Sequence, residues 1–124
     1  MAVPIRFVYK IVDSPHIDLL LPEQPLSLLD STDGFIHLST YEQLLGTLSR
    51  FYKNNDFVSI LKVDLSLVSE IVKWESPKSA HENESLQRFP HIYGPLKSKY
   101  IVGSFKLDRL SKDWNFSTAP PGFF

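Results

Sequence analysis

The sequence predicts a single domain of the α+β class, on three observations. The chain has 124 residues, enough for one ordinary domain and too few for two. Short stretches with an alternating or continuous apolar pattern, bounded by turn residues, recur along the chain as strands do. One longer stretch repeats its apolar residues at three- and four-residue spacing, the mark of an amphipathic helix. With 43% of the residues in the hydrophobic set, a core can form without disulfide or metal support.

The first strand is expected over 5–12, where Phe7, Tyr9 and Ile11 point to one face and Arg6, Val8 and Lys10 to the other. Ser14-Pro15 then reads as a helix start, with Ser14 as cap and Pro15 at the first helical position, and Pro22 limits that helix to about two turns. Asp30-Ser31-Thr32-Asp33-Gly34 reads as a polar turn, and Phe35-Ile36-His37-Leu38 as a short strand emerging from it. Ser39 and Thr40 both qualify as the cap of the next helix, since Glu42 and Gln43 follow each of them three residues later. Tyr41, Leu44, Leu45, Leu48 and Phe51 or Tyr52 supply its apolar stripe over roughly three turns. Asn54-Asn55-Asp56 ends it.

The segment 57–63 is apolar apart from Ser59 and Lys62, which predicts a central strand. A short helical turn over 65–68 and a strand over 71–74 follow, with Glu75 directly after Trp74. Residues 76–88 are mostly polar and read as a mobile surface loop. Phe89-Pro90-His91-Ile92-Tyr93-Gly94-Pro95 reads as a compact, conformationally restricted turn, and strand character returns over 99–107. The tail from Trp114 to Phe124 reads as an arm, either laid over the domain or projecting as an interaction peptide. The expected organisation is therefore one domain over 1–107 and an arm over 108–124.

Cysteine is absent, which removes disulfides, cysteine nucleophiles and thiolate-ligated metals from consideration. Thirteen Lys and Arg stand against 14 Asp and Glu, so no basic surface for extended nucleic acid is expected. Charges interrupt the first apolar stretch, and no apolar run approaches the roughly 20 residues of a membrane-spanning helix. The expected setting is cytoplasmic, with the nucleus as a second compartment. The Asn-x-Ser triplets at Asn83 and Asn115 are read as chance. Neither a Gly-rich phosphate loop nor a G-x-S-x-G elbow occurs.

The candidate chemistry rests on few side chains. His16 reads as a surface or capping residue, and the spacing of His81 from His91 matches no tight metal motif, so no metal site is expected. His37 interrupts an apolar stretch just before a helix N-terminus, where amides and the dipole favour anionic or carbonyl ligands. Its competing reading is a half-buried histidine donating to a strand carbonyl. Ser39 is better explained as a cap than as a nucleophile. Tyr93 falls on the same side as His91 in an extended segment, a patch suited to an amide, a base or a nicotinamide-like ring, or else to packing on the core. Glu75, at a strand end, is a candidate general base or hydroxyl acceptor, against a plain solvated terminus.

Taken together, Asp33-Gly34-Phe35-Ile36-His37-Leu38-Ser39-Thr40, Gln43, Arg50-Phe51-Tyr52, Trp74-Glu75 and Phe89-Pro90-His91-Ile92-Tyr93-Gly94-Pro95-Leu96 resemble the DUF952 family. Tyr9-Lys10-Ile11 and the strand near Tyr100 to Val102 extend the resemblance to about 6–107. The resemblance implies an ADP-ribosyltransferase-like fold, two small antiparallel sheets around an NAD-binding cleft with short helices at the side. It implies catalytic roles for His37, Glu75 and His91, cofactor contacts for His37, Ser39 and Tyr93, and NAD or a related small nucleotide as ligand. The reaction class implied is NAD-dependent glycosyl or ADP-ribosyl transfer. The chain lacks the Ser-Thr-Ser and late Glu-x-Glu patterns of arginine-modifying transferases. A non-catalytic ligand-binding or protein-interaction domain on the same scaffold is the alternative.

Overall fold

The apolar run near the middle of the sequence becomes β3 (Phe57–Asp64), and Val58, Ile60, Leu61 and Val63 within it are all fully buried. A strand with one face in water does not bury both parities, so this strand lies between two cores. The computed structural model describes residues 4–77 and 87–124. The remaining elements are β1 (Phe7–Val12), α1 (Leu28–Asp33), β2 (Ile36–His37), α2 (Tyr41–Phe51), β4 (Val72–Glu75), β5 (Phe89–Ile92) and β6 (Ile101–Asp108). Short 3-10 turns occur at Leu65–Leu67 and Ser98–Tyr100. The class is α+β, with antiparallel sheets and short helices.

One three-stranded sheet has the order β1-β3-β6 and the other β2-β5-β4, every pairing being antiparallel. Alternation along β3 assigns each residue to a core. Leu61 and Val63 pack with Val8, Ile36, Ile92 and Leu96 between the sheets, while Val58 and Ile60 pack with Tyr9, Ile11, Leu44, Leu48 and Trp114. The pairing of β3 with β6 slips between Lys62 and Val63. That slip reverses the facing of β6, so Ile101 joins the intersheet core while Phe105 and Leu107 face α2 and the arm.

Two expectations about helices are corrected. No helix forms after Ser14-Pro15. The Ser14 hydroxyl instead accepts from the His16 amide at 3.3 Å and the Asp18 carboxylate from the Leu20 amide at 3.0 Å, closing local turns. Leu20 is 95% exposed and only Ile17 of this segment packs on the core, too little apolar contact to offset the nucleation cost of a two-turn helix. Conversely, the expected polar turn over 30–34 is the body and end of α1. Ser27 caps it by accepting from the Asp30 amide at 3.0 Å, and Gly34, at φ 81°, ends it in the left-handed region.

Of the two cap candidates for α2, Thr40 is the one used, in a reciprocal capping box with Gln43. The segment expected as a rigid turn contributes instead the central strand of the second sheet, β5, with Tyr93-Gly94-Pro95 following it. Residues 78–86 of the expected loop, with His81 and Asn83, lie outside the described residues.

The C-terminal segment packs on the domain. Trp114 is 5% exposed and its Nε1 donates to the Tyr52 carbonyl at 3.1 Å. Phe123 and Phe124 lie against Phe105 and Tyr9, and the Lys62 ammonium donates to the Phe123 carbonyl. Phe124 and Phe116 also reach Tyr41, the first residue of α2, at 4.9 and 5.7 Å between ring centres. Trp114→Ala is expected to cost about 3–5 kcal/mol. Urea unfolding checks this as a lowered midpoint with an unchanged slope.

Candidate functional site

The antiparallel pairing of β2 with β5 sets His37 directly opposite His91, with the ring centres 5.5 Å apart. Phe35, buried just before β2, stacks on His91 at 4.2 Å and lies 4.5 Å from His37 and 5.4 Å from Tyr93. Both histidines line a cleft of about 490 Å³ whose facing wall is α2, which presents Gln43, Thr47 and Arg50. That volume lies in the range of small-molecule sites, about 300–1,000 Å³.

His37 is clamped. Its Nδ1 lies 2.6 Å from Asp30 Oδ1 and its Nε2 2.9 Å from Asp33 Oδ2, while its backbone amide donates to Asp30 at 3.1 Å. Both ring nitrogens are thus occupied by carboxylates, which leaves neither of them to a ligand. The other oxygen of Asp30 accepts from Lys10 Nζ at 2.5 Å, and Lys10 also donates to the His37 carbonyl at 3.3 Å. Burial alone would raise the Asp30 carboxyl, but the His37 bond and the Lys10 charge hold it below the usual carboxylate range. Burial lowers Lys10 from its ordinary value, with Asp30 pulling it back up.

His91 has a different environment. It is 3% exposed, and its Nδ1 lies 2.9 Å from Glu75 Oε1. The Tyr93 hydroxyl donates to that same oxygen at 2.7 Å. The Tyr93 and His91 bonds hold the Glu75 carboxyl below its ordinary value, and the bond to Glu75 raises the Tyr93 phenol. Burial pulls His91 below the usual histidine range against the opposing bond to Glu75. At neutral pH the ring is therefore uncharged, and ionised Glu75 requires the proton to sit on Nδ1. Tyr52, also at the cleft, is pushed up to about 12 by burial and stays a neutral phenol.

Of the residues singled out from sequence, His37, Ser39 and His91 line the cleft, while Glu75 and Tyr93 join it through His91. Ser39 exchanges backbone hydrogen bonds with Tyr9 and its hydroxyl lies 3.3 Å from that of Thr47. His16 is exposed and lies outside the cleft lining, and His81 falls outside the described residues. Sequence reasoning missed Lys10, Asp30, Asp33 and Arg50 as site residues. Lys10 read as the polar side of an alternating strand and the aspartates as turn formers; no local signal marks Lys10, whose partners lie 20 and 27 residues away. Among the described residues, no cluster of His, Cys, Asp and Glu suits a metal ion, and no helix is long and apolar enough to cross a membrane.

Asp30→Asn leaves Lys10 buried without its counter-charge and is expected to destabilise by about 3–5 kcal/mol. Because the folded carboxyl titrates below its unfolded value, its contribution is complete above about pH 4 and is lost as pH falls through the folded value. Urea midpoints across that window check both points, since the variant's stability should fall less steeply with acid than the parent's.

The family model described as "Protein of unknown function (DUF952)" matches residues 21–104. The crystal structure of protein CC0527 from Caulobacter crescentus is similar, with 27% identity and a TM-score of 0.69 over 89% of this chain and 94% of that one. A crystal structure of a double mutant of CC0527 gives 27% identity and 0.68 over 89% and 94%. Its solution NMR structure gives 27% and 0.68 over 87% and 90%. No curated protein matches the chain. The family match spans both histidine strands and the helix that faces them, and the chain belongs to the DUF952 family.

Proposed function

We propose that the cleft binds a small nucleotide of the NAD class and that His37 and His91, with Glu75 acting through His91, form its reaction centre, on an ADP-ribosyltransferase-like scaffold. The observation that carries this reading is the pairing of His37 with His91 on adjacent strands at the wall of a cleft faced by Arg50. The residues present fit such a ligand. Arg50 is exposed on α2 and suits a phosphate, Phe51 and Phe89 offer flat apolar surface for a ring, and Ser39, Thr47 and Tyr52 supply hydroxyls. Bound NAD supplies an anomeric carbon whose bond to nicotinamide is the one broken in glycosyl transfer. The chain's part is to hold the ligand, set the clamped His37 ring beside it and accept a hydrogen bond at His91.

A specific observation favours a second reading, a protein-interaction domain. Leu20 and Leu28 are 95% and 85% exposed, and Leu26 and Leu29 are exposed beside them. Silence across a nucleotide panel, together with self-association abolished by Leu20→Ser and Leu28→Ser, selects that reading.

Thermal-shift measurements against NAD, ADP-ribose, mononucleotides and RNA ends test the first reading, since a ligand at a hundred times its Kd stabilises by about 2.7 kcal/mol. NAD or ADP-ribose is expected to raise Tm. Arg50→Ala is expected to weaken binding at least about tenfold while changing the stability of the free protein by less than about 0.5 kcal/mol. His37→Ala is a poorer probe, because it strips Asp30 and Asp33 of their shared donor.

A further inference from the structure

We propose that His91 gives the cleft a hydrogen-bond acceptor whose polarity is set by Glu75 and Tyr93 as positioning residues, so that the part of a ligand seated on it is an uncharged N–H or O–H donor.

The geometry leaves one ring nitrogen for a ligand. Nδ1 is taken by Glu75, and Nε2 has no hydrogen-bond partner among the described residues. Every fully buried side-chain nitrogen or oxygen among those residues has a partner, so Nε2 is open to the cleft that the ring lines. A side chain only 4% exposed therefore ends in one free polar atom at the cleft.

The second half of the inference is why that atom accepts. Two donors, the His91 Nδ1–H and the Tyr93 hydroxyl, converge on Oε1 of Glu75 and fix its orientation. Glu75 and Tyr93 lie outside the cleft lining and act only through His91. Phe35, stacked on the ring at 4.2 Å and 26°, opposes rotation of the imidazole. Opposite it, His37 spends both nitrogens on Asp30 and Asp33, so of the two paired histidines only His91 has a ring nitrogen left for a ligand. A carboxylate or phosphate oxygen placed on Nε2 meets a lone pair and leaves a buried acceptor unmatched, whereas a carboxamide or a hydroxyl satisfies it.

This inference rests on the nucleotide reading for the identity of the ligand and stands apart from it for the state of the ring. Long-range proton–nitrogen spectra of the full chain labelled at histidine nitrogen read both. In the free protein at neutral pH the expected result is a protonated Nδ1 and a bare Nε2 at His91. Glu75→Gln, whose amide can donate toward Nδ1, is expected to move the proton in part to Nε2, with Tyr93→Phe doing so to a smaller extent. A merely structural role for these two residues would leave the tautomer unmoved. Addition of NAD is expected to shift the Nε2 resonance as for an accepted hydrogen bond, without protonating it. Glu75→Gln is expected to lower NAD affinity about tenfold, the equivalent of about 1.4 kcal/mol and within the usual cost of leaving a buried polar group unmatched.

A protonated Nε2 in the free protein overturns the acceptor assignment, and an unchanged tautomer in Glu75→Gln overturns the positioning role. Protonation of Nε2 on binding overturns the ligand's donor polarity. If NAD leaves every histidine resonance in place, the nucleotide reading fails, and the spectra of the free protein alone decide whether His91 is the acceptor.

Discussion

Asp30 is a carboxylate closed off from water on a helix of six residues, and three parts of the fold meet on it. Lys10 reaches it from the first sheet, His37 from the second, and its own amide is held by the cap of α1. Burying these charges is costly in itself, so the network adds little net stability compared with apolar packing. Its effect is on arrangement. The intersheet core of Val8, Ile36, Leu61 and Ile92 is apolar and tolerates sliding, whereas an ammonium, an imidazole and a carboxylate at 2.5 to 2.6 Å do not.

From that constraint the cleft follows. Fixing β2 against β1 sets the edge on which β5 pairs, and the pairing brings His91 opposite His37. The two rings are close in space and alike in chemistry, yet their neighbours assign them different work. Carboxylates occupy both nitrogens of His37, while a single carboxylate at Nδ1 and burial leave His91 neutral with one lone pair toward the cleft. Environment rather than residue type makes this distinction.

The far wall depends on the C-terminal arm. Its rings pack against Tyr41 at the start of α2, and its indole holds the carbonyl of Tyr52 at the helix end. The helix that carries Thr47 and Arg50 is thus braced at both ends by the arm.

Periodicity made the long elements legible. The strands β1, β3 and β6 and the helix α2 all follow from apolar spacing, because whether an element has one face to bury or, as in β3, two is a local property of the chain. The same parity rule placed Tyr93 beside His91, and both now meet at Glu75. Where local signals lacked a face to bury, they misled: Ser14-Pro15 promises a helix that its exposed leucines cannot hold. Where stability comes from a distant partner, local signals were silent, as in α1, whose polar residues look like a turn until Lys10 and His37 reach Asp30. The sequence by itself determined the class, the main strands, the helix and the histidine blocks. Only the tertiary structure decided that His37 has no free ring nitrogen and His91 has one, because that depends on carboxylates brought in from 7, 4 and 16 residues away.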